Sequence, residues 1–239
     1  MPKQSFAEGW VSRVSVGTRR SLPFALGPAS SVPVRYRLLI FDFDGTLADT
    51  FPAFQAAFRE AIPRFGLRRV EPSDFARLRG MGAREVIRFL GLPMWQVPQV
   101  GQFVREVMGG RPVRLFDGME DALRQLAAAG VKLAVVSSNS EENVRRGLGP
   151  ALAGLFEAFD CGASLFGKAA KFRRVAKRTA CKLGEVLAIG DELRDAEAAK
   201  SAKMAFGAVA WGFTELTSLE QGASAEVFHA PGDLLRLLA

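Results

Sequence analysis

The chain has 239 residues, of which 49% are hydrophobic and 24% are charged, as in ordinary globular proteins of one domain with an insertion or of two small domains. No apolar run approaches the roughly 20 residues that a membrane helix needs, so we expect no membrane partner. The net charge of +7 raises the question of nucleic-acid binding. However, the first 35 residues carry five basic residues against one acidic residue. The remaining chain is only mildly basic, and we expect no nucleic-acid partner.

The few cysteines and the single histidine exclude several kinds of site. Cys161 and Cys181 lack the CxxC spacing of zinc ribbons and redox motifs, and they provide no disulfide framework. His229 is the only histidine, which excludes triads that need an imidazole beside another functional residue and His-rich metal sites. We therefore expect a protein of a reducing compartment, the cytoplasm, working as a monomer or a homodimer.

The chain begins with a predicted flexible leader, residues 1–35. Its Arg, Ser, Pro and Gly residues are scattered, and it lacks the continuous apolar core of a secretory signal. The first predicted strand follows at Arg37–Phe41, a short apolar run bounded by charge and a turn. Residues 51–114, called the cap segment below, then show helical spacing and no strand pattern of comparable quality. We predict an all-helical insertion there.

From Leu115 the pattern alternates between helices and strands. Helices are predicted at 118–130, after residue 140, at 171–183 and at 193–202; strands are predicted at 131–136, weakly at 159–163, at 186–190 and finally at 204–212. Such alternation indicates an α/β fold with a mainly parallel sheet and helices on both faces, formed by residues 36–50 and 115–239.

Polar residues follow each clear strand, at the edge where α/β sheets bind ligands. Asp42 and Asp44 follow the first strand, Ser137 follows the second, and Asp191 follows the strong strand that ends at Gly190. Lys168 comes shortly after the weak strand. Carboxylates, hydroxyls and an ammonium together suit a phosphoryl group and a Mg²⁺ ion, which prefers hard oxygen ligands. A carboxylate beside the ion stays charged and available as a nucleophile, while Asp44 is suited to acid–base chemistry.

These segments resemble the hallmarks of the haloacid dehalogenase-like hydrolase superfamily, and of its phosphoglycolate phosphatase-like members with an α-helical cap. The matching residues are Asp42-Phe43-Asp44-Gly45-Thr46, Ser137 in VVSS, Lys168 in FGKAAK with Lys171 as its rival, and Gly190-Asp191 through Asp195. The resemblance spans residues 36–239 and implies a Rossmann-like core. The chain departs from the Lys-Pro pair of close relatives, because Ala169 follows Lys168.

The resemblance also implies roles for individual residues. Asp42 is the expected nucleophile and Asp44 the expected acid and base. The expected Mg²⁺ ligands are Asp42, Asp44 through its backbone carbonyl, Asp191, and Asp195 acting through water or from the second shell. The expected phosphate-binding residues are Ser137, Ser138, Lys168, Gly45 and Thr46. Arg84 in the cap segment is the candidate substrate contact, and the simpler alternative is an arginine of the exposed surface.

We therefore expect a Mg²⁺-dependent phosphatase that acts on a small phosphorylated metabolite, phosphoglycolate-like or a sugar phosphate, through an aspartyl-phosphate intermediate. A phosphomutase with the same residues stays open, and a non-catalytic phospho-acceptor or binding protein is a more distant alternative. A dehalogenase needs no general acid, so Asp44 argues against one. Residues 51–131 contain no lysine, which argues against a phosphonate hydrolase that needs a Schiff-base lysine in its cap.

Overall fold

The structure is a computed structural model that describes residues 35–239, except 72, 80, 82, 163–166, 217, 218 and 220–223. The predicted leader lies outside the described residues apart from Arg35. The strands are β1 Leu38–Phe41, β2 Ala48–Asp49, β3 Arg114–Leu115, β4 Lys132–Val136, β5 Phe156–Asp160, β6 Val186–Gly190, β7 Ala205–Val209 and β8 Glu226–Phe228. The α-helices are α1 Phe51–Phe65, α2 Asp74–Arg79, α3 Ala83–Phe89, α4 Val97–Gly109, α5 Met119–Ala128, α6 Glu141–Ala153, α7 Gly167–Arg178 and α8 Leu193–Ala202. Short 3₁₀ helices span Met94–Gln96, Leu183–Glu185 and Pro231–Leu238.

Six strands form one parallel sheet in the order β5-β4-β1-β6-β7-β8. The central strand β1 is buried along its whole length, as expected for a parallel strand that is covered on both faces. Phe41, its last residue, lies opposite Val135 of β4 and Ile189 of β6. The carboxyl ends of β4, β1 and β6 therefore meet at one edge. The predicted α/β fold with a mainly parallel sheet is confirmed.

Helices cover both faces of the sheet, because alternate residues of each strand point to opposite sides. Leu39 and Phe41 pack in one core with α5, α6 and the C-terminal 3₁₀ helix. Leu38 and Ile40 pack in the second core with α7 and α8. Both cores consist largely of side chains with almost no exposed area, so β1 is fixed from both sides and holds Asp42 in a defined position.

The described part of the cap segment contains α1 to α4 and has its own hydrophobic cluster. Helices α1 and α4 pack against each other, and the buried residues of the cluster are Ala57, Phe58, Ala61, Leu67, Leu90, Leu92, Val100 and Val104. Gly66 follows the last residue of α1, and its φ of 63° lies in the left-handed region that favours glycine. The helical content matches the prediction, while the bounds of a cap domain stay a prediction.

The structure adds short strands that the sequence pattern did not indicate. β2 and β3 pair antiparallel, Ala48 with Leu115 and Asp49 with Arg114, where the chain enters and leaves the cap segment. β8 adds a sixth strand beside β7, so the strand predicted at 204–212 is not the last. The weak strand lies at Phe156–Asp160 and not at 159–163. Two- and three-residue strands are too short to show alternation, and neighbouring backbone groups define them.

Among the described residues, no helix combines the length and the apolar composition that a membrane-crossing segment requires.

Truncating a central strand residue should destabilise the protein strongly. Leu39 has no exposed area, and Leu39→Ala leaves a cavity that a tightly packed core fills only in part. We expect the free energy of unfolding in urea to fall by about 2–5 kcal/mol. Leu39→Met is the control, with an expected loss below about 1.5 kcal/mol. Equal losses for the two variants would contradict the packing described for β1.

Candidate active site

The edge where β1 and β6 end brings three carboxylates together. Asp42 directly follows β1, and its amide donates a hydrogen bond to the carbonyl of Ile189 at 2.9 Å. Asp191 directly follows β6, and Asp195 lies in the first turn of α8. One carboxylate oxygen from each lies within 4.8 Å of the others, and all three residues are buried. The pairing of β1 with β6 thus brings Asp42 close to Asp191, although the two residues are about 150 positions apart in sequence.

Lys168 supplies a positive charge to this acidic group. Its Nζ lies 2.9 Å from Oδ2 of Asp42 and 2.6 Å from Oδ1 of Asp195. Burial alone would lower the pKa of Lys168, but the charges of Asp195 and Asp42 outweigh burial and raise that pKa above its ordinary value. Lys168 is therefore held in its charged form, facing both carboxylates.

Asp191 is held from two further loops. The hydroxyl of Thr46 donates to its Oδ1 at 2.9 Å, and the amide of Phe213 donates to its Oδ2 at 2.8 Å. Gly45 has a φ of 76° and lies so close to Asp191 that a Cβ at Gly45 would collide with the carboxylate. A Cβ at Gly212 would collide with the side chain of Asp191 as well. These four residues leave Asp191 little freedom to rotate.

The structure gives Gly45 and Thr46 contacts that differ from the predicted phosphate contacts. The amide of Gly45 donates to the carbonyl of Ala48 at 2.9 Å, inside the turn. Thr46 has no exposed area, and its hydroxyl is used by Asp191. Both residues therefore shape the turn after β1 and position a carboxylate.

The acidic group carries more negative charge than Lys168 balances. Burial first, and then the neighbouring charges of Glu192 and Asp42, raise the pKa of Asp191 well above its ordinary value. Burial also raises the pKa of Asp195 to about 7, against the opposing effect of Lys168. Oδ2 of Asp195 is buried without a hydrogen-bond partner among the described residues. A buried oxygen of this kind needs a cation or a proton, so Asp42, Asp191 and Asp195 fit a divalent metal ion.

Asp44 lies beside this group in a different environment. The side-chain amide of Asn139 donates to its Oδ2 at 3.2 Å. Burial and the nearby charge of Asp42 raise the pKa of Asp44 to about 6, so it exchanges a proton near neutral pH. Asn139 lies in the turn that follows β4. The structure assigns the cap of α6 to Ser140, whose hydroxyl accepts from the amide of Asn143 at 3.2 Å.

A cavity of about 360 Å³ opens beside Lys168. Ser137, Ser138 and Lys168, all predicted to bind phosphate, line it together with Arg194. Sequence reasoning missed Arg194, because an arginine in the first turn of a helix is not distinguished from a surface residue. Lys171, the rival of Lys168, is buried and donates to the carbonyls of Ser137 at 3.0 Å and Asp160 at 3.2 Å. It braces the ends of β4 and β5, whereas Lys168 contacts the carboxylates.

A second cavity, of about 410 Å³, lies between the cap segment and the core. Gln102 and Arg105 of α4 line one side, and Asn139 and Asn143 line the other. Arg84, the predicted substrate contact, is the second residue of α3 and is exposed. Arg105 was missed because its spacing on α4 is that of a solvent-facing residue.

Comparison with known proteins agrees with this geometry. A profile described as haloacid dehalogenase-like hydrolase matches residues 39–209 of the chain. The chain belongs to this family. Phosphoglycolate phosphatase of Synechococcus elongatus is 33% identical over 201 residues, covering 83% of this chain and 95% of that protein. Tyrosine-protein kinase PtkA of Mycobacterium bovis is 28% identical over 210 residues, covering 84% of this chain and 72% of PtkA.

Solved structures show the same fold. A haloacid dehalogenase-like family protein of Streptococcus pneumoniae, SP0104, superposes with a TM-score of 0.74 at 18% identity, covering 86% of this chain and 99% of that chain. Together with the curated relatives, the family membership identifies this haloacid dehalogenase-like hydrolase as a phosphatase. Phosphatases of the family generally use a divalent metal ion, and the buried carboxylates of Asp42, Asp191 and Asp195 are compatible with one.

The raised pKa values predict how the stability of the metal-free protein depends on pH. Folded Asp195 and Asp44 have pKa values of about 7 and about 6, whereas an aspartate of the unfolded chain has a pKa of about 3.9. Between the pKa of the unfolded chain and the pKa of each folded aspartate, the folded state binds more protons than the unfolded state. The free energy of unfolding therefore falls as pH rises through this range. We expect the free energy of unfolding in EDTA to decrease from about pH 4 to about pH 8. Asp195→Asn should flatten this slope, whereas Asp49→Asn, at an exposed position, should not. A stability that rises over this range would be inconsistent with the buried acidic group.

Proposed function

We propose that the chain is a Mg²⁺-dependent phosphatase that hydrolyses a small phosphorylated metabolite through an aspartyl-phosphate at Asp42. One observation carries the proposal: Asp42 belongs to a buried group of three carboxylates, contacts Lys168, and is followed two residues later by an aspartate with a pKa of about 6. A nucleophile, a cation for phosphoryl oxygens and an acid near neutral pH are the groups that this chemistry requires.

The proposed metal ligands are the carboxylates of Asp42, Asp191 and Asp195, together with the backbone carbonyl of Asp44. The set consists of oxygen atoms only, which favours Mg²⁺ over softer metals. A bound Mg²⁺ would neutralise the carboxylates and draw the negative phosphoryl group toward Asp42. Thr46 and Phe213 would keep Asp191 oriented through their hydrogen bonds. Asp195 also contacts Lys168 and so links the metal site to the phosphate site.

In the proposed reaction an oxygen of Asp42 attacks phosphorus, and the bond from phosphorus to the ester oxygen breaks. Asp44 gives its proton to that departing oxygen, which leaves as an alcohol. Asp44 then takes a proton from a water molecule, which attacks the aspartyl-phosphate and releases inorganic phosphate and free Asp42. Lys168, Ser137 and Ser138 would bind the phosphoryl oxygens, where charge spreads in the transition state. Arg194 lines the same cavity and adds positive charge.

The cavity beside α4 supports a small substrate with a polar or anionic end. Its volume is about 410 Å³, and α4 contributes Arg105 as well as the polar Gln102 and the acidic Glu106 to its lining. Several relatives are named phosphoglycolate phosphatases, so phosphoglycolate, or a sugar phosphate of similar size, is the proposed substrate class. We further propose residues 36–50 and 115–239 as the catalytic core, residues 51–114 as the cap, and a cytoplasmic monomer or homodimer.

Replacing the proposed nucleophile should abolish turnover without loss of fold. We expect Asp42→Asn to remove detectable phosphate release across a panel of phosphometabolites, and EDTA to do the same in the unchanged protein. Asp44→Asn should lower the rate by roughly 10²–10⁴, the usual contribution of a general acid. Asp49→Asn, an exposed aspartate of β2, is the control and should retain activity.

The panel should include bisphosphorylated sugars and ATP with a tyrosine peptide. Transfer of phosphate to a second sugar position would favour the phosphomutase alternative. Transfer to tyrosine would overturn hydrolysis as the main reaction; one relative is named a tyrosine-protein kinase. Full Mg²⁺-dependent activity in Asp42→Asn would remove the proposed mechanism.

Replacing the arginine that lines the second cavity should weaken substrate binding. A hydrogen bond to a charged group contributes about 1.5–3 kcal/mol, so we expect Arg105→Gln to raise KM at least about tenfold with a smaller change in kcat. Arg84→Gln is the matched comparison, since Arg84 lies on α3 of the same segment. A larger rise in KM for Arg84→Gln than for Arg105→Gln would contradict this prediction and would assign the substrate contact to α3.

A further inference from the structure

A continuous chain of hydrogen bonds runs from the end of the cap segment to Asp44. Arg146 of α6 donates to the carbonyl of Gly109, the last residue of α4. The same guanidinium nitrogen donates to Oδ1 of Asn143 at 2.6 Å. Asn143 donates to Oδ1 of Asn139 at 3.1 Å, and Asn139 donates to Oδ2 of Asp44 at 3.2 Å.

The direction of this chain is determined by its donors. A guanidinium can only donate, so Asn143 must present its oxygen to Arg146 and its NH₂ group to Asn139. The amide of Ser140 also donates to Oδ1 of Asn139, at 2.9 Å. Two donors therefore hold the oxygen of Asn139, and its NH₂ group is the part that faces Asp44. If Asn143 were removed, one of the two donors that fix this orientation would be lost.

These linked hydrogen bonds also connect the cap segment with the strands and helices of the core. Gly109 lies against Asn143, since a Cβ at Gly109 would come within 2.7 Å of its side-chain nitrogen. A side chain at position 109 would therefore displace the side chain of Asn143 from its present place. Asp44, at the other end, lies at the edge of the sheet beside Asp42. The position of the last turn of α4 is thus connected to the orientation of the proposed acid through three side chains.

We propose that Asn143 is a positioning residue for the reaction: through Asn139 it holds the carboxyl group of Asp44 toward the departing oxygen. Arg146 completes this arrangement only when the end of α4 lies against α6. The inference rests on the proposed role of Asp44 as a general acid. The hydrogen bonds of Asn143 and Arg146 described above involve none of the carboxylates of Asp42, Asp191 and Asp195, so we expect these three carboxylates to stay in place when either side chain is lost.

The test uses the full-length protein and a series of substituted phenyl phosphates that differ in the pKa of the departing phenol. Asn143→Leu removes both hydrogen bonds at similar volume, and Asn143→Asp keeps the acceptor for Arg146 but loses the donor to Asn139. A good leaving group needs no proton, so kcat/KM should fall less than about twofold for p-nitrophenyl phosphate and at least about tenfold for phenyl phosphate. The dependence of kcat/KM on leaving-group pKa becomes steeper in both variants.

Arg145→Gln is the control, because Arg145 lies on the same helix and pairs with Glu141 at 2.7 Å, outside the chain of hydrogen bonds. In this control variant we expect no selective loss of kcat/KM for any ester of the series. Equal losses across the series in the Asn143 variants, with or without a lower melting temperature, would mean a structural role or a direct substrate contact and would overturn the inference. Unchanged kcat/KM for every ester would also overturn it.

The variant Asp44→Asn distinguishes a failure of the positioning role of Asn143 from a failure of the proposed acid role of Asp44. If it steepens the dependence on leaving-group pKa and the Asn143 variants do not, the inference fails while the proposed acid stands. If Asp44→Asn itself shows no selectivity, the proposed role of Asp44 is wrong, and the positioning role is rejected with it.

Discussion

The architecture of this site depends on holding three buried carboxylates within a few ångströms of one another. Such a group is unfavourable by itself, because burial and mutual repulsion both disfavour the charged forms of Asp42, Asp191 and Asp195. Lys168 compensates part of this cost by contacting two of the three. The parallel pairing of β1 with β6, packed on both faces, supplies the rigidity that keeps the carboxylates from separating. The remaining negative charge makes the three carboxylates compatible with a bound divalent ion.

Much of this arrangement was predictable because parallel strands deliver their carboxyl ends to one edge. The order of strand and helix patterns identified the sheet, and Asp42, Ser137, Lys168 and Asp191 could be assigned to that edge without coordinates. Apolar strands of four or five residues followed by polar turns carry a strong signal. The family resemblance of the motifs pointed to the same residues, and the family is confirmed by the comparisons.

What could not be predicted depends on contacts between distant side chains. The hydroxyl of Thr46 binds a carboxylate 145 residues away, and from sequence it was assigned to phosphate. The position of Asn139 after a strand does not indicate that its side-chain amide faces Asp44. Arg105 and Arg194 had the spacing of surface residues, and only the cavities they line distinguish them. β8 escaped notice because three residues show no periodicity and pairing with β7 alone defines the strand.

Phe213 contacts both the acidic group and helix α1 of the cap segment. Its amide donates to Asp191, while its ring lies 5.4 Å from the ring of Phe51 and 6.0 Å from that of Phe54, both on α1. A shift of α1 would therefore displace the loop that orients the carboxylate of Asp191. Equilibrium linkage is reciprocal: if an occupant of the cleft moves α1 and thereby tightens cation binding by some factor, the cation must tighten the hold on that occupant by the same factor. A single aromatic side chain would then make the two ligands cooperative.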